Sequence, residues 1–174
     1  MASVLIVGAG PVGLTLALAL RCLGVDIRLI DKAAGPSPFC RAIGVTPRTL
    51  EMMEDLGPAR DLIDAGLWLT GMRLAVTGAP VRDIPVGYPE LPYSTLGVPQ
   101  YTTEAVLVRH LAAAGGAVER GVTLSGFTQD AEGVTATLDT PAGPRTARHD
   151  YLVGCDGAHS TVRRALGLGF EGDA

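Results

Sequence analysis

The chain has 174 residues, a net charge of −4, and 47% hydrophobic but only 5% aromatic residues, enough for a domain with an aliphatic core. No basic stripe accompanies that charge, which argues against a nucleic-acid partner. Three widely spaced cysteines (Cys22, Cys40, Cys155) without a C-x-x-C suggest neither a disulfide framework nor a zinc site, but free, buried or semi-buried thiols in a reducing cytoplasm.

Ser3–Val7 is a short apolar run, as in a parallel strand covered on both faces. Residues 4–20 read better as a strand followed by a helix than as a leader or a membrane anchor, because no cation precedes them and Gly8, Gly10, Pro11 and Gly13 interrupt them. Gly8–Gly13 is a turn, Val12–Leu23 a Leu/Ala-rich helix stopped at Gly24, and Val25–Ile30 a second strand ending at Asp31. The turn is a G-x-G-x-x-G in its required context, after a strand, opening a helix, and followed by a strand that ends in a carboxylate. Gly8 permits the tight turn, Gly10 lets backbone approach a pyrophosphate, and Gly13 lets the helix pack on the strand. The helix start, with Pro11 and Val12, offers N–H groups to phosphates, and Asp31 can accept from a ribose diol. Asp31 also disfavours a ribose 2′-phosphate, and Lys32 is either over an adenine or solvated. This unit alone fits NAD as well as FAD.

After a loop at 33–38, Pro47–Leu56 reads as a helix capped by Thr46, and a short helix follows Gly57-Pro58 to about Ala65. From Leu67 to Pro99, Pro and Gly multiply around β-like runs at 72–77 and 81–86, an excursion from the main sheet. A helix is predicted from Thr102 or Thr103 to Ala114. Residues 122–129, 134–139 and 145–149 form a three-stranded meander. Tyr151–Cys155 reads as a buried strand and Ser160–Leu166 as a helix, with Asp156-Gly157 in the turn between them. Asp156 there either faces a ligand or only caps the helix.

Four features in this order, the G-A-G-P-V-G turn, Arg41-Ala42, Val98-Pro99-Gln100 and Gly154-Cys155-Asp156-Gly157, resemble the FAD-dependent aromatic hydroxylases typified by p-hydroxybenzoate hydroxylase. Residues 98–170 most resemble the aromatic polyketide hydroxylase and rifampicin monooxygenase subgroup. The resemblance implies an α/β fold, a Rossmann-like FAD-binding domain of parallel sheet and helices plus the meander. It implies a FAD-binding part at 1–66, the start of a β-rich substrate domain at 67–99, and a continued FAD-binding part at 100–174. The glycine turn (Gly8, Gly10, Pro11, Val12, Gly13) would hold the pyrophosphate, Asp31 the ribose and Lys32 the adenine side. Arg41 would reach the phosphate or ribityl chain, Gln100 the ribityl or flavin, and the Leu124 backbone the adenine. Asp156 and Gly157 match the motif associated with FAD and NAD(P)H. The bland readings are Arg41 as a surface charge and Gln100 as a capping side chain.

The implied reaction is hydroxylation of an aromatic small molecule, polyketides included, with NAD(P)H as co-substrate. No residue pattern points to a catalytic side chain or a metal ligand. The family's later Gly-Asp motif, the last strand of the sheet and most of the substrate domain are not in the chain. Gly172-Asp173 follows the last helix directly and does not qualify as that motif. An N-terminal portion is therefore expected, with weak FAD affinity, exposed apolar surface, and a possible second chain supplying the rest. The alternative is a truncated, non-catalytic dinucleotide-binding module or half of a split assembly. A halogenase or reductase on the same fold is less favoured, since Trp68 sits in no halogenase motif.

Overall fold

The computed structural model describes residues 3–172. The chain runs β1 (Ser3–Val7), α1 (Pro11–Cys22), β2 (Asp26–Asp31), β3 (Gly44–Val45), α2 (Pro47–Leu56), α3 (Ala59–Ala65), β4 (Leu67–Trp68), β5 (Gly71–Leu74) and β6 (Arg82–Pro85). It continues through β7 (Leu96–Gly97), α4 (Gln100–Ala113), β8 (Val118–Arg120), β9 (Thr123–Asp130), β10 (Gly133–Thr140), β11 (Gly143–His149), β12 (Tyr151–Gly154) and α5 (Thr161–Ala165). Two compact units result, one made of the residues up to Ser37 and from Leu107 onward, the other of Pro38–Val106.

The first unit is built on a four-stranded sheet in the order β12-β1-β2-β8, all neighbours parallel. Side chains alternate across β1 and β2. Leu5, Val7 and Ile30 join Val122, Leu124, Ala136 and Leu138 of the meander, and Val162 of α5, in one buried cluster. Val4, Ile6 and Leu29 point the other way and are also buried, and α1, with Leu14, Ala17 and Leu18 inward, packs on β1 and β2. Both faces are covered, which is why β1 lacks a polar alternation. Each fully buried Leu or Ile contributes roughly 1.5–3 kcal/mol of transfer free energy. Exposed ion pairs such as Arg148–Asp130 are screened by solvent and add little, so the two apolar layers hold this unit together.

The meander is antiparallel in the order β11-β10-β9, with a register shift at Thr137/Leu138. The structure departs from the sequence reading at several points besides the short strands β3, β4 and β7. Val118–Arg120 is a strand of its own, added to the edge of the parallel sheet beside β2. Helix α4 starts at Gln100, because the Pro99 carbonyl accepts from both Thr102 and Thr103 N–H. Strand β12 is an edge, not a buried strand: Tyr151 is 61% exposed and β12 pairs with β1 alone. Cys22 and Cys40 are exposed and Cys155 is half-buried, so the thiols are free but two are not interior. Asp173 of the Gly172-Asp173 pair lies outside the described residues. No helix among the described residues is long and apolar enough to cross a membrane.

In the second unit, Thr46 caps α2 by accepting from Thr49 N–H at 3.3 Å, and Leu50, Met53, Leu62 and Leu96 are buried. Strands β3, β7 and β4 form a small antiparallel sheet, and Trp68 stacks on Tyr93 at 6.5 Å. Strands β5 and β6 form a separate hairpin exposed along its whole length, including Met72, Leu74 and Ile84.

One buried polar group of the first unit predicts a pH effect. Both ring nitrogens of His149 are buried and lack a hydrogen-bond partner. Burial, then the charge of Arg28, pushes the imidazole pKa below the usual histidine value, against the pull of Asp26, Asp150 and Glu119. The folded state thus prefers the neutral ring. Its contribution is fully present above the unfolded value of about 6.5 and is lost as pH falls through the lower folded value. Thermal melts at about pH 7.5 and pH 5 should show a larger drop for the wild type than for His149→Leu. Equal drops in both proteins would refute this account.

Candidate functional site

The carboxyl ends of β1, β2 and β12 meet at the Gly8–Gly13 turn, where ligands of open parallel sheets bind. Three glycines of this turn sit in three different settings. Gly8 has φ +104°, its N–H donates to Ile30 O at 2.8 Å, and an added Cβ would run into the Cys155 carbonyl. A Cβ on Gly13 would run into the Gly8 carbonyl oxygen and lie 3.2 Å from Cys155 Cβ. Gly10 has an ordinary φ of −76°, and a Cβ there would meet no protein atom within 4 Å. Protein packing explains Gly8 and Gly13; the space in front of Gly10 is open.

Gly10 is also the N-cap of α1, and no side chain caps that end. Pro11 at the first helical position has no N–H to satisfy, and Leu14 makes the first intrahelical bond, 2.9 Å to Gly10 O. The Val12 and Gly13 N–H groups therefore have no intrahelical partner. No acidic side chain occupies the first turn, and Val12 is 70% exposed. A 12-residue helix thus presents free donors and its partial positive charge to an open space, which suits a phosphate group.

Asp31, the last residue of β2, borders this space. Its Oδ2 accepts from Ala9 N–H at 2.7 Å and its Oδ1 from Ala33 N–H at 2.8 Å. The carboxylate fixes the glycine turn, yet each oxygen keeps a second lone pair for a ligand hydroxyl. The next residue, Lys32, is exposed. Gly121 N–H donates to Ala33 O and Val122 N–H to Asp31 O, so the β8–β9 turn is stitched to the same segment. Two residues on, the Leu124 side chain is buried in the core at 3% exposure, leaving only its backbone for any other contact.

Asp156 has one visible task, capping α5. Its Oδ1 accepts from Ser160 Oγ at 2.6 Å, and its Oδ2 from Thr161 and Val162 N–H at 2.6 and 3.3 Å. Gly157 takes φ +73° with open space around it. Gly154 packs tightly on Val162, so α5 lies close against β12. Burial, with Asp156 beside it, pushes the Cys155 thiol up, which makes it a poor nucleophile.

Gly8, Gly10, Pro11, Val12, Gly13, Asp31, Lys32, Leu124, Asp156 and Gly157 all belong to the first unit. Arg41 and Gln100 belong to the second. Arg41 is exposed in the loop before β3. Gln100 opens α4, and its Nε2 donates to the buried Glu104 Oε1 at 2.8 Å, one turn on. Sequence reasoning missed Arg120, whose guanidinium lies 3.7 Å from Asp31 Oδ2. Its signal was weak because β8 has only three residues. Among the described residues, no cluster of three His, Cys, Asp or Glu could hold a metal ion.

The FAD binding domain family matches the chain over residues 1–174. The chain is 38% identical to a flavin-dependent monooxygenase of Mycobacteroides abscessus, over 98% of its own length and 38% of the relative's. It is also 38% identical to the 12-dehydrotetracycline 5-monooxygenase/anhydrotetracycline 6-monooxygenase of Streptomyces rimosus, over 97% of its length and 33% of that enzyme. Rifampicin monooxygenases and aklavinone 12-hydroxylase are further relatives. Among solved structures, the flavin-dependent monooxygenase PieE in complex with FAD and substrate superposes with a TM-score of 0.90 at 32% identity, covering 99% of this chain and 33% of PieE. The chain thus spans about a third of the length of these relatives.

Proposed function

The chain belongs to the FAD-binding domain family, and from that membership we propose that it serves as the FAD-binding portion of an NAD(P)H-using monooxygenase that hydroxylates an aromatic, polyketide-class small molecule. FAD is the cofactor. One observation carries the cofactor side of this reading: the uncapped N-terminus of α1 behind an unobstructed Gly10, with Asp31 at its border. The substrate side rests on what the relatives are named for, tetracycline and rifampicin monooxygenases among them.

The residues fit the ADP half of the cofactor. Gly10, Val12 and Gly13 would receive the pyrophosphate, Asp31 the ribose hydroxyls, and Lys32 with the Leu124 backbone would border the adenine. Arg41 and Gln100 would serve the phosphate, ribityl and flavin end, and the Asp156-Gly157 turn would stand at the end of β12. When bound, FAD supplies the redox chemistry by which an oxygen atom from O₂ reaches an aromatic ring; the protein binds, orients and excludes water. Residues 1–66 and 100–174 would make the FAD-binding part, and 67–99 the opening of a substrate domain. The exposed apolar side chains of the β5–β6 hairpin are what an incomplete substrate-domain sheet would leave, whereas the compact units divide the chain elsewhere, at Ser37/Pro38 and Val106/Leu107.

Titration of FAD with the protein, followed by flavin fluorescence, tests the reading. The flavin signal should change saturably, ADP should compete, and FMN, which lacks the adenosine, should bind more weakly. A signal that does not respond to protein, or binding that ADP leaves untouched, would remove this assignment.

A further inference from the structure

We propose that Arg120 is a positioning residue for the adenosine ribose, acting through Asp31. The proposal rests on the reading above, in which Asp31 receives the ribose hydroxyls. Arg120 closes β8 and stands in register with Asp31 on the neighbouring parallel strand. Its guanidinium lies 3.7 Å from Asp31 Oδ2, and the two side chains are only 21% and 17% exposed. Partial burial matters, because solvent screens such a pair less than a surface one.

Three groups converge on the Asp31 carboxylate. Ala9 N–H approaches Oδ2 from the glycine turn, and Ala33 N–H approaches Oδ1 from the segment after β2. Both are backbone donors, fixed by the fold, on loops that flank the open space. Arg120 is the charged partner, reaching Oδ2 from the far side of β2. The preceding residue of β8, Glu119, is engaged separately, in a two-bond pair with Arg28 at 2.8 Å for each contact. The β8–β9 turn that follows is held to the same segment by Gly121 N–H to Ala33 O and Val122 N–H to Asp31 O. Arg120 is thus anchored on both sides along the chain and directed at the Asp31 carboxylate, which borders the site. At 3.7 Å the contact is ionic and not a hydrogen bond; it offsets the Asp31 charge beside the site and biases the orientation in which the carboxylate receives hydroxyls.

The test compares ADP with 2′-deoxy-ADP as competitors of FAD. The wild type should prefer ADP. Arg120→Gln should weaken FAD and ADP by about 10-fold, the order expected when a partly buried charged contact is lost. It should also shrink the preference for ADP over the deoxy analogue, with the melting temperature within a few degrees of the wild type. Arg120→Lys should restore part of the preference, and in an Asp31→Asn background Arg120→Gln should add little. A purely structural role would weaken both competitors equally and leave the preference intact, and that result overturns the proposal. A wild type with no preference between the two competitors overturns the assignment of Asp31 to the ribose, and this inference with it. An unfolded Arg120→Gln shifts the decision to Arg120→Met, which keeps the aliphatic stem without the charge, and an unchanged preference in that variant would overturn the proposal.

Discussion

Gly10→Val should raise the FAD dissociation constant about 100-fold or more, equivalent to about 2.7 kcal/mol, and leave the melting temperature within a few degrees of the wild type. The separation of the two effects follows from the local geometry. Gly10 has φ −76° and ψ −176°, extended backbone open to any residue. Its Cβ would meet no protein atom within 4 Å, so a side chain is accommodated by the folded protein. The same side chain would fill the space onto which the Val12 and Gly13 N–H groups open. A phosphate excluded from that space loses both the free donors and the helix-end charge. Gly10→Ala should show the same effect in smaller degree. Equilibrium titration of FAD with each variant, paired with thermal melts, decides the matter. A Gly10→Val protein that binds FAD as the wild type does would show that the open space is not where the pyrophosphate lies.

The parts of the fold that were legible in the sequence are those written in local pattern. The β1–α1–β2 unit declares itself through an apolar run, a glycine turn, a Leu/Ala helix and a terminal Asp31, all within 31 consecutive residues. Thr46 and Pro47 announce α2 in the same way, and the meander follows from its turn residues. What was not legible depends on pairing between distant segments. The two-residue strands β3, β4 and β7 carry no periodicity and exist because Leu96 and Gly97 pair with Val45 and Gly44 on one side and with Trp68 and Leu67 on the other. Strand β8 has three residues, two of them charged, and is defined by its neighbour β2. The apolar run of β12 looks interior by composition, yet position in the sheet, not composition, sets exposure.

The site shows the same division. Spacing points to the glycines and Asp31, and the structure adds the close packing at Gly8 and Gly13 and the N–H groups that Asp31 holds. Asp156 reads equally as a ligand-facing or capping residue in sequence, and the capping bonds to Ser160, Thr161 and Val162 are the ones the structure displays. Arg41 and Gln100 carry no local signal at all. Only resemblance to the aromatic hydroxylases points to them. Arg120 could be named only once β8 had been placed beside Asp31.

Gly13→Ala should have the opposite signature to Gly10→Val, a loss of the fold with flavin binding lost only as a consequence. The added Cβ would overlap the Gly8 carbonyl oxygen, which is backbone and has no rotamer to move. Gly8 itself cannot give way easily. It holds φ +104°, its N–H is bonded to Ile30 O, and its own Cβ position is walled by the Cys155 carbonyl. Relief therefore requires α1 to move off β1, and α1 carries Leu14, Ala17 and Leu18 into the core. Overpacking by one methyl in a rigid core typically costs about 1–3 kcal/mol, and a clash with immovable backbone belongs at or above the top of that range. A loss of about 3 kcal/mol is a large share of the roughly 5–15 kcal/mol that keeps a domain folded. Urea unfolding should show a midpoint far below that of Gly10→Ala, which adds the same methyl three residues earlier without contact. Equal midpoints for the two alanine variants would mean that the helix seats on the strand with room to spare, and that the third glycine of the motif serves the ligand and not the packing.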